Sequence, residues 1–279
     1  MTKRTALLLA AIGISGLWMA CDNGQPTEKR TAMGLQPVET AVDSGSVADT
    51  LTKMDEPGFG IDYLTGKFEP SVHQDFVEID KTHASRPGMY IRRDAYEAFR
   101  KMFEAAQKDG VRLIIKSATR NFEAQKSIWE GKWTGSRLLD GGINAAKKFP
   151  DPTERALKIL EWSSMPGTSR HHWGTDIDLN AFVNKYFETG QGLKEYQWLR
   201  KHAAYFGFCQ PYSPKGEARP YGYNEEKWHW SYMPVAGRLF SEAKAKLKND
   251  AISGFKGSQV ANKIGVVEKY VLGISEECL

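Results

Sequence analysis

Cysteine is scarce in this chain, and a long apolar run, a marked surplus of either charge and any C-x-x-C pair are missing. Three cysteines in 279 residues cannot frame a disulfide-stapled mini-protein, and without C-x-x-C there is no zinc-ribbon pattern. Lys and Arg number 38 against 34 Asp and Glu, with no basic block, which leaves no electrostatic footprint for nucleic acid. No uncharged apolar stretch reaches the roughly 20 residues that span a bilayer, which excludes a multi-pass membrane protein. What is present is 41% hydrophobic residues in a chain long enough to bury a sizeable core.

The longest uncharged stretch lies at the start. Lys3 and Arg4 precede sixteen uncharged residues, Thr5 to Ala20, and Cys21 follows. This is the shape of an export signal over residues 1–20. Ala20-Cys21 is similar to a bacterial lipoprotein processing site, which implies a lipid on Cys21 that anchors the chain to a membrane; ordinary secretion and an uncleaved anchor are the alternatives. Each reading puts the remainder outside the cytoplasm, in a periplasm or cell envelope. There Cys209 and Cys278 meet oxidising conditions, and the sequence leaves open whether they pair. Residues 21–56 are polar and hold no Phe, Tyr or Trp, so they read as a flexible tether with a reach of about 30 to 35 Å.

Aromatic residues return at Phe59, and periodic segments follow one another to about Lys248. The folded domain is therefore placed at 57–248, with a helical, Lys-rich tail at 249–279. Apolar residues recur at helical steps through Ile91–Lys108, with Asp94 and Glu97 at capping-box spacing. Val111, Leu113 and Ile115 alternate into a strand that ends near Ser117. A second helix is expected from Asn121 to about Glu130, then a Gly-rich basic loop over 132–150. Asp151, Pro152 and Glu154 punctuate a third helix start. Tyr196, Leu199, Ala203 and Phe206 make a further helix, closed by Gly207. Helices and strands mix without βαβ repetition, so the expected class is α+β, in one domain.

Metal-capable side chains concentrate in SRHHWGTDIDL, residues 169–179, and EEKWHWSY, residues 225–232. In a strand over TDIDL, Asp176 and Asp178 share one face while Ile177 and Leu179 share the other. Seven steps separate His171 from Asp178, about 23 Å if extended, so both reach one ion only if the chain turns back, and Gly174 sits where that turn is needed. His229 would add a second imidazole. Two imidazoles and a carboxylate form a catalytic zinc set that leaves one position for water, with Glu226 or Glu225 as candidate base. In a regular strand Glu226 and His229 would face opposite ways, so the pairing requires a turn before Trp228. Trp228 and Trp230, sharing a strand face, would line a cleft or pack in the core. Asp176 and His172 stand as rival ligands. His73, His83 and His202 are treated as structural or exposed.

The pattern S-x-H-x-x-G-x-x-x-D followed by E-x-x-H is met by Ser169, His171, Gly174, Asp178, Glu226 and His229. With SATRNFEAQ, it makes the chain resemble the VanY-like zinc D-alanyl-D-alanine peptidases, which share their fold with the hedgehog signalling domain. The likeness runs over about Gly66 to Met233. It implies a small antiparallel sheet packed with helices, and one Zn2+ held by His171, Asp178 and His229. It further implies Glu226 as general base, Arg120 on the substrate carboxylate or the oxyanion, and Ser169 and Gln125 as residues that contact substrate or shape the pocket. Peptidoglycan stem peptides are the implied partner; the oligomeric state is left open. A small residue is usual two before the ligand Asp, where this chain has Asp176.

Other chemistries are poorly supported. Ser241 to Lys244 spells S-x-x-K but lacks K-T-G and S-D-N partners, and H-E-x-x-H is absent. Activity on a different stem-peptide bond, as an L,D-carboxypeptidase or an endopeptidase, and a zinc-containing cell-wall or protein binding domain without turnover are the remaining alternatives. Loss of hydrolysis on chelation, restored by zinc, separates an enzyme from a binder.

Overall fold

The computed structural model describes residues 58–279; the expected export signal, Cys21 and the tether lie outside the described residues. A hairpin of β1 (Phe76–Glu78) and β2 (Tyr90–Arg92) leads into α1 (Arg93–Lys108). The chain continues through β3 (Ile115–Ser117), α2 (Phe122–Thr134), α3 (Pro152–Ile159), β4 (Asp176–Leu179), α4 (Gly190–His202), β5 (Phe208–Cys209), β6 (His229–Tyr232) and α5 (Met233–Lys246). The second sheet has the order β3-β4-β6-β5 and every neighbouring pair is antiparallel. This is the α+β architecture expected from the sequence.

Local chemistry explains most boundaries. Asp151 Oδ1 accepts from the backbone N–H groups of Thr153 and Glu154, with Pro152 in the first turn of α3. Asn121 caps α2 through the N–H of Ala124. The capping box expected at Asp94 and Glu97 does not form: Arg92 precedes the helix, and its guanidinium takes the Asp94 carboxylate at 2.9 Å. Three further expectations are corrected. The strand begins only at Ile115, Val111 and Leu113 serving as core residues outside it. Helix α2 continues to Thr134, so the basic segment begins inside a helix, and Ala145–Lys148 adds a helical turn to what was read as a loop.

Residues 249–279 are not a tail with solvated faces. They form short helical turns that deliver Ile252, Phe255, Val260, Ile264, Val267 and Val271 to a core shared with α2, α3 and α5. Cys209 and Cys278 are disulfide-bonded, with Cα atoms 5.7 Å apart.

A second core lies on the other face of the sheet, where Ile177, Leu179 and Trp230 meet Phe99 and Met102 of α1 and Leu199 of α4. The two-residue period of β4 and β6 then turns Asp176, Asp178, His229 and Ser231 to the opposite face. Register does the rest: Asp178 pairs directly with His229, and Asp176 with Ser231.

Candidate metal centre and cleft

Gly174, at φ 75°, turns the chain between the short helical turn Arg170–Trp173 and β4. That turn brings His171 back beside Asp178. One ligand atom from each of His171, Asp178 and His229 lies within 4.8 Å of the others, and all three residues are buried. His229 also begins its strand as required: its N–H donates to Glu226 O at 3.1 Å, a turn that places Glu226 Oε2 3.2 Å from His229 Nδ1. Trp228 and Trp230 consequently do not share a face. Trp228 stacks on Trp162 at 5.9 Å in the cleft wall, while Trp230 enters the core.

Each imidazole has one nitrogen committed to an acceptor and the other turned to Asp178. His171 Nδ1 donates to the Ala118 carbonyl at 2.8 Å, leaving Nε2 3.3 Å from Asp178 Oδ2. His229 Nε2 lies 2.8 Å from Asp176 Oδ2, and its Nδ1 is 3.2 Å from Asp178 Oδ1. Asp178 Oδ1 is buried and accepts no aligned hydrogen bond from a described residue. Two imidazole nitrogens turned to the two oxygens of one buried carboxylate fit a divalent cation, with the carbonyl and carboxylate behind the rings orienting them. Burial and the nearby Arg120 lower the proton affinity of His171, whereas at His229 Asp176, Asp178 and Glu226 outweigh burial and raise it well above the ordinary imidazole value, so a cation bound there displaces a proton. Burial pushes Asp178 up, yet the two imidazoles hold it well below the usual carboxylate range.

The two rival ligands have other occupations. His172 accepts from the Gly167 N–H through Nε2 at 3.0 Å and donates through Nδ1 to the Arg120 carbonyl, so no lone pair remains. Asp176, fully buried, is ringed by Arg170 Nε at 3.1 Å, Thr175 Oγ1 at 2.8 Å and Ser231 Oγ at 2.7 Å in addition to His229. Arg170 in turn lies over the Trp173 ring and donates to Ser231. Asp176 thus orients His229 from behind. The sequence left Asp176 open as a rival ligand, because spacing does not show which imidazole nitrogen it meets.

The cleft over this centre has a volume of about 510 Å³. Arg120 reaches it braced by Gln125 Oε1 at 2.9 Å and Ser117 Oγ at 2.7 Å, with Nη1 3.7 Å from Asp178, and it does not pair with Glu123. Gln125, expected to touch substrate or shape the pocket, lines the cleft and spends its amide on Arg120 and on the Ser164 carbonyl. Ser169 Oγ is buried in the cleft wall without a described partner. Burial raises the proton affinity of Glu226 above its ordinary value. Sequence reasoning missed Tyr212, whose ring meets His229 edge-on at 4.7 Å and whose carbonyl accepts the Glu226 N–H. The S-x-x-K serine, Ser241, lies on α5 and donates to the Gly237 carbonyl.

The family model for VanY, D-alanyl-D-alanine carboxypeptidase, matches residues 88–235. A D-alanyl-D-alanine carboxypeptidase of Enterococcus faecalis is 31% identical over 134 residues, 48% of this chain and 45% of that protein. The putative carboxypeptidase YodJ of Bacillus subtilis is 30% identical over 176 residues, 61% of this chain and 56% of that one. The chain thus spans about half the length of these curated relatives. Among solved structures, VanYB in complex with D-alanine-D-alanine is 25% identical, with a TM-score of 0.45, covering 62% of this chain and 86% of its own.

Proposed function

Because the chain belongs to the VanY D-alanyl-D-alanine carboxypeptidase family, we propose that it is a zinc-dependent D,D-carboxypeptidase that removes the terminal D-Ala of peptidoglycan stem peptides. The observation that carries this reading is the convergence of His171, Asp178 and His229 beside Glu226. Zinc held by His171 Nε2, Asp178 and His229 Nδ1 would supply a Lewis acid that activates water and polarises the scissile carbonyl.

The remaining roles follow from the side chains. Glu226, its proton affinity raised by burial, is suited to take a proton from water and return it to the leaving amine. Arg120 is held by Gln125 and Ser117, and its Nη2 bonds no described residue, which leaves it for the terminal carboxylate or the developing oxyanion. The Ser169 hydroxyl is available to the peptide backbone. Purified protein incubated with muropeptides should release D-Ala by mass spectrometry, and Glu226→Ala should slow release about 10²- to 10⁴-fold. A normal rate in Glu226→Ala would overturn the mechanism.

The export signal and lipidated Cys21 belong to the same proposal, since a wall substrate lies outside the cytoplasm. The disulfide supports it, because such bonds persist in oxidising compartments. Cys21→Ser should move the protein from the membrane fraction to the soluble one; unchanged fractionation would remove the lipid anchor from this account.

A further inference from the structure

A peptide ending in one carboxylate needs one cation, and the cleft has more. Arg86, Lys116, Lys132 and Arg137 line it besides Arg120, and apart from Asp178 and Glu226 the only acidic lining residue described is Asp140. Arg86, Lys116 and Arg137 form no ion pair with a described residue. Lys132 follows Gln125 and Ile128 along the cleft face of α2, and its ammonium donates to Ser163 Oγ, a neutral hydroxyl. Half-buried lysines cost free energy unless their charge is answered, and burial lowers the proton affinity of Lys132 here. Asp140 and Arg137 face it from the following loop, with Glu226 and Arg120 deeper in the cleft.

Resting on the peptidase reading above, we propose that this cationic wall is a second carboxylate subsite. It selects stem peptides whose residue before the terminal D-Ala-D-Ala carries a side-chain carboxylate, as 2,6-diaminopimelate does, over those with lysine there. The volume of about 510 Å³ leaves room beyond a dipeptide for the side chain of the preceding residue. A lysine ammonium would meet like charge at Lys132 and Arg137. A carboxylate would instead gain charge-assisted hydrogen bonds from Lys132 and from the guanidinium of Arg137.

The test uses the full chain, zinc-loaded and carrying Glu226→Gln so that peptides stay intact, with binding read by calorimetry. The probes are L-Ala-γ-D-Glu-X-D-Ala-D-Ala with X as diaminopimelate, its side-chain carboxamide, or lysine; the carboxamide removes charge alone. Diaminopimelate should bind about tenfold tighter than its amide, and Lys132→Met and Arg137→Ala should each shrink that ratio. Arg137 is exposed, so its variant guards against misfolding of the Lys132 one. Equal binding of acid and amide, or a ratio unchanged in both variants, would overturn the subsite. Parallel incubation with the wild-type chain separates the two readings. Selective binding without cleavage would remove the peptidase and leave the subsite, while cleavage without selectivity would do the reverse.

Discussion

Asp176 shows how one carboxylate can set the chemistry of another residue without touching substrate. Burial opposes its ionisation, but Arg170 and His229 hold it well below the usual carboxylate range, so it stays an acceptor for the His229 Nε2 proton. That leaves His229 Nδ1 facing Asp178. An outer carboxylate of this kind typically supports metal affinity by 10- to 100-fold. Asp176→Asn keeps the shape but weakens the hydrogen bond and leaves Arg170 without its counter-ion. We therefore expect zinc affinity, titrated against a chromophoric chelator, to fall about tenfold or more, while circular dichroism of the zinc-loaded protein stays that of the wild type. Unchanged zinc affinity would make Asp176 a partner of Arg170 only.

At the scale of elements, the centre is assembled by one turn and one strand register. Gly174 is the turn: a Cβ there would fall 2.4 Å from the Phe76 ring and 2.8 Å from Arg92 Cγ, on backbone at φ 75°. Gly174→Ala should cost roughly 2–4 kcal/mol, combining left-handed strain with overpacking, and should weaken zinc binding by misplacing His171 against Asp178. Gly110→Ala is the control, since φ is 73° but nothing lies within 4 Å, and only the backbone cost of about 1–2 kcal/mol applies. Equal thermal shifts in the two variants would deny Gly174 its special place. This turn was legible in the sequence because glycine is the cheap residue there, and so were the Asp151 cap and the two-faced β4, each decided by neighbouring residues. The direct pairing of Asp178 with His229 was not, since 51 residues separate them and register depends on both sheet faces being filled. Lys132 was hidden for a similar reason: the run after Glu130 has Gly131 and Gly135, which read as loop, yet Trp129 and Trp133 pack in the core and carry α2 onward to Thr134.

For the whole molecule, the segment beyond Lys248 ties the core to the catalytic wall. Trp129 Nε1 of α2 donates to the Lys256 carbonyl, and the Ser275 N–H donates to the Pro211 carbonyl. The next residue, Tyr212, meets the His229 ring and accepts the Glu226 N–H, so the disulfide at Cys209–Cys278 anchors the stretch that carries Glu226. Nothing in the sequence marked this, because the apolar residues of 249–279 are spaced irregularly and no single helix could display them. Closing a loop with a sequence separation of 69 removes unfolded-state entropy worth about 4 kcal/mol. The double variant Cys209→Ser with Cys278→Ser should therefore unfold at lower guanidinium concentration than the oxidised protein, by a stability loss of that order. Hydrogen exchange should also quicken over 209–226, ahead of the central strand β4 and of α1 on the far side of the sheet. Reductant should lower the midpoint of the wild type towards that of the variant and leave the variant unmoved. A wild-type midpoint indifferent to reductant would mean that the bond contributes nothing, and that burial of the segment alone holds Tyr212 and Glu226 in place.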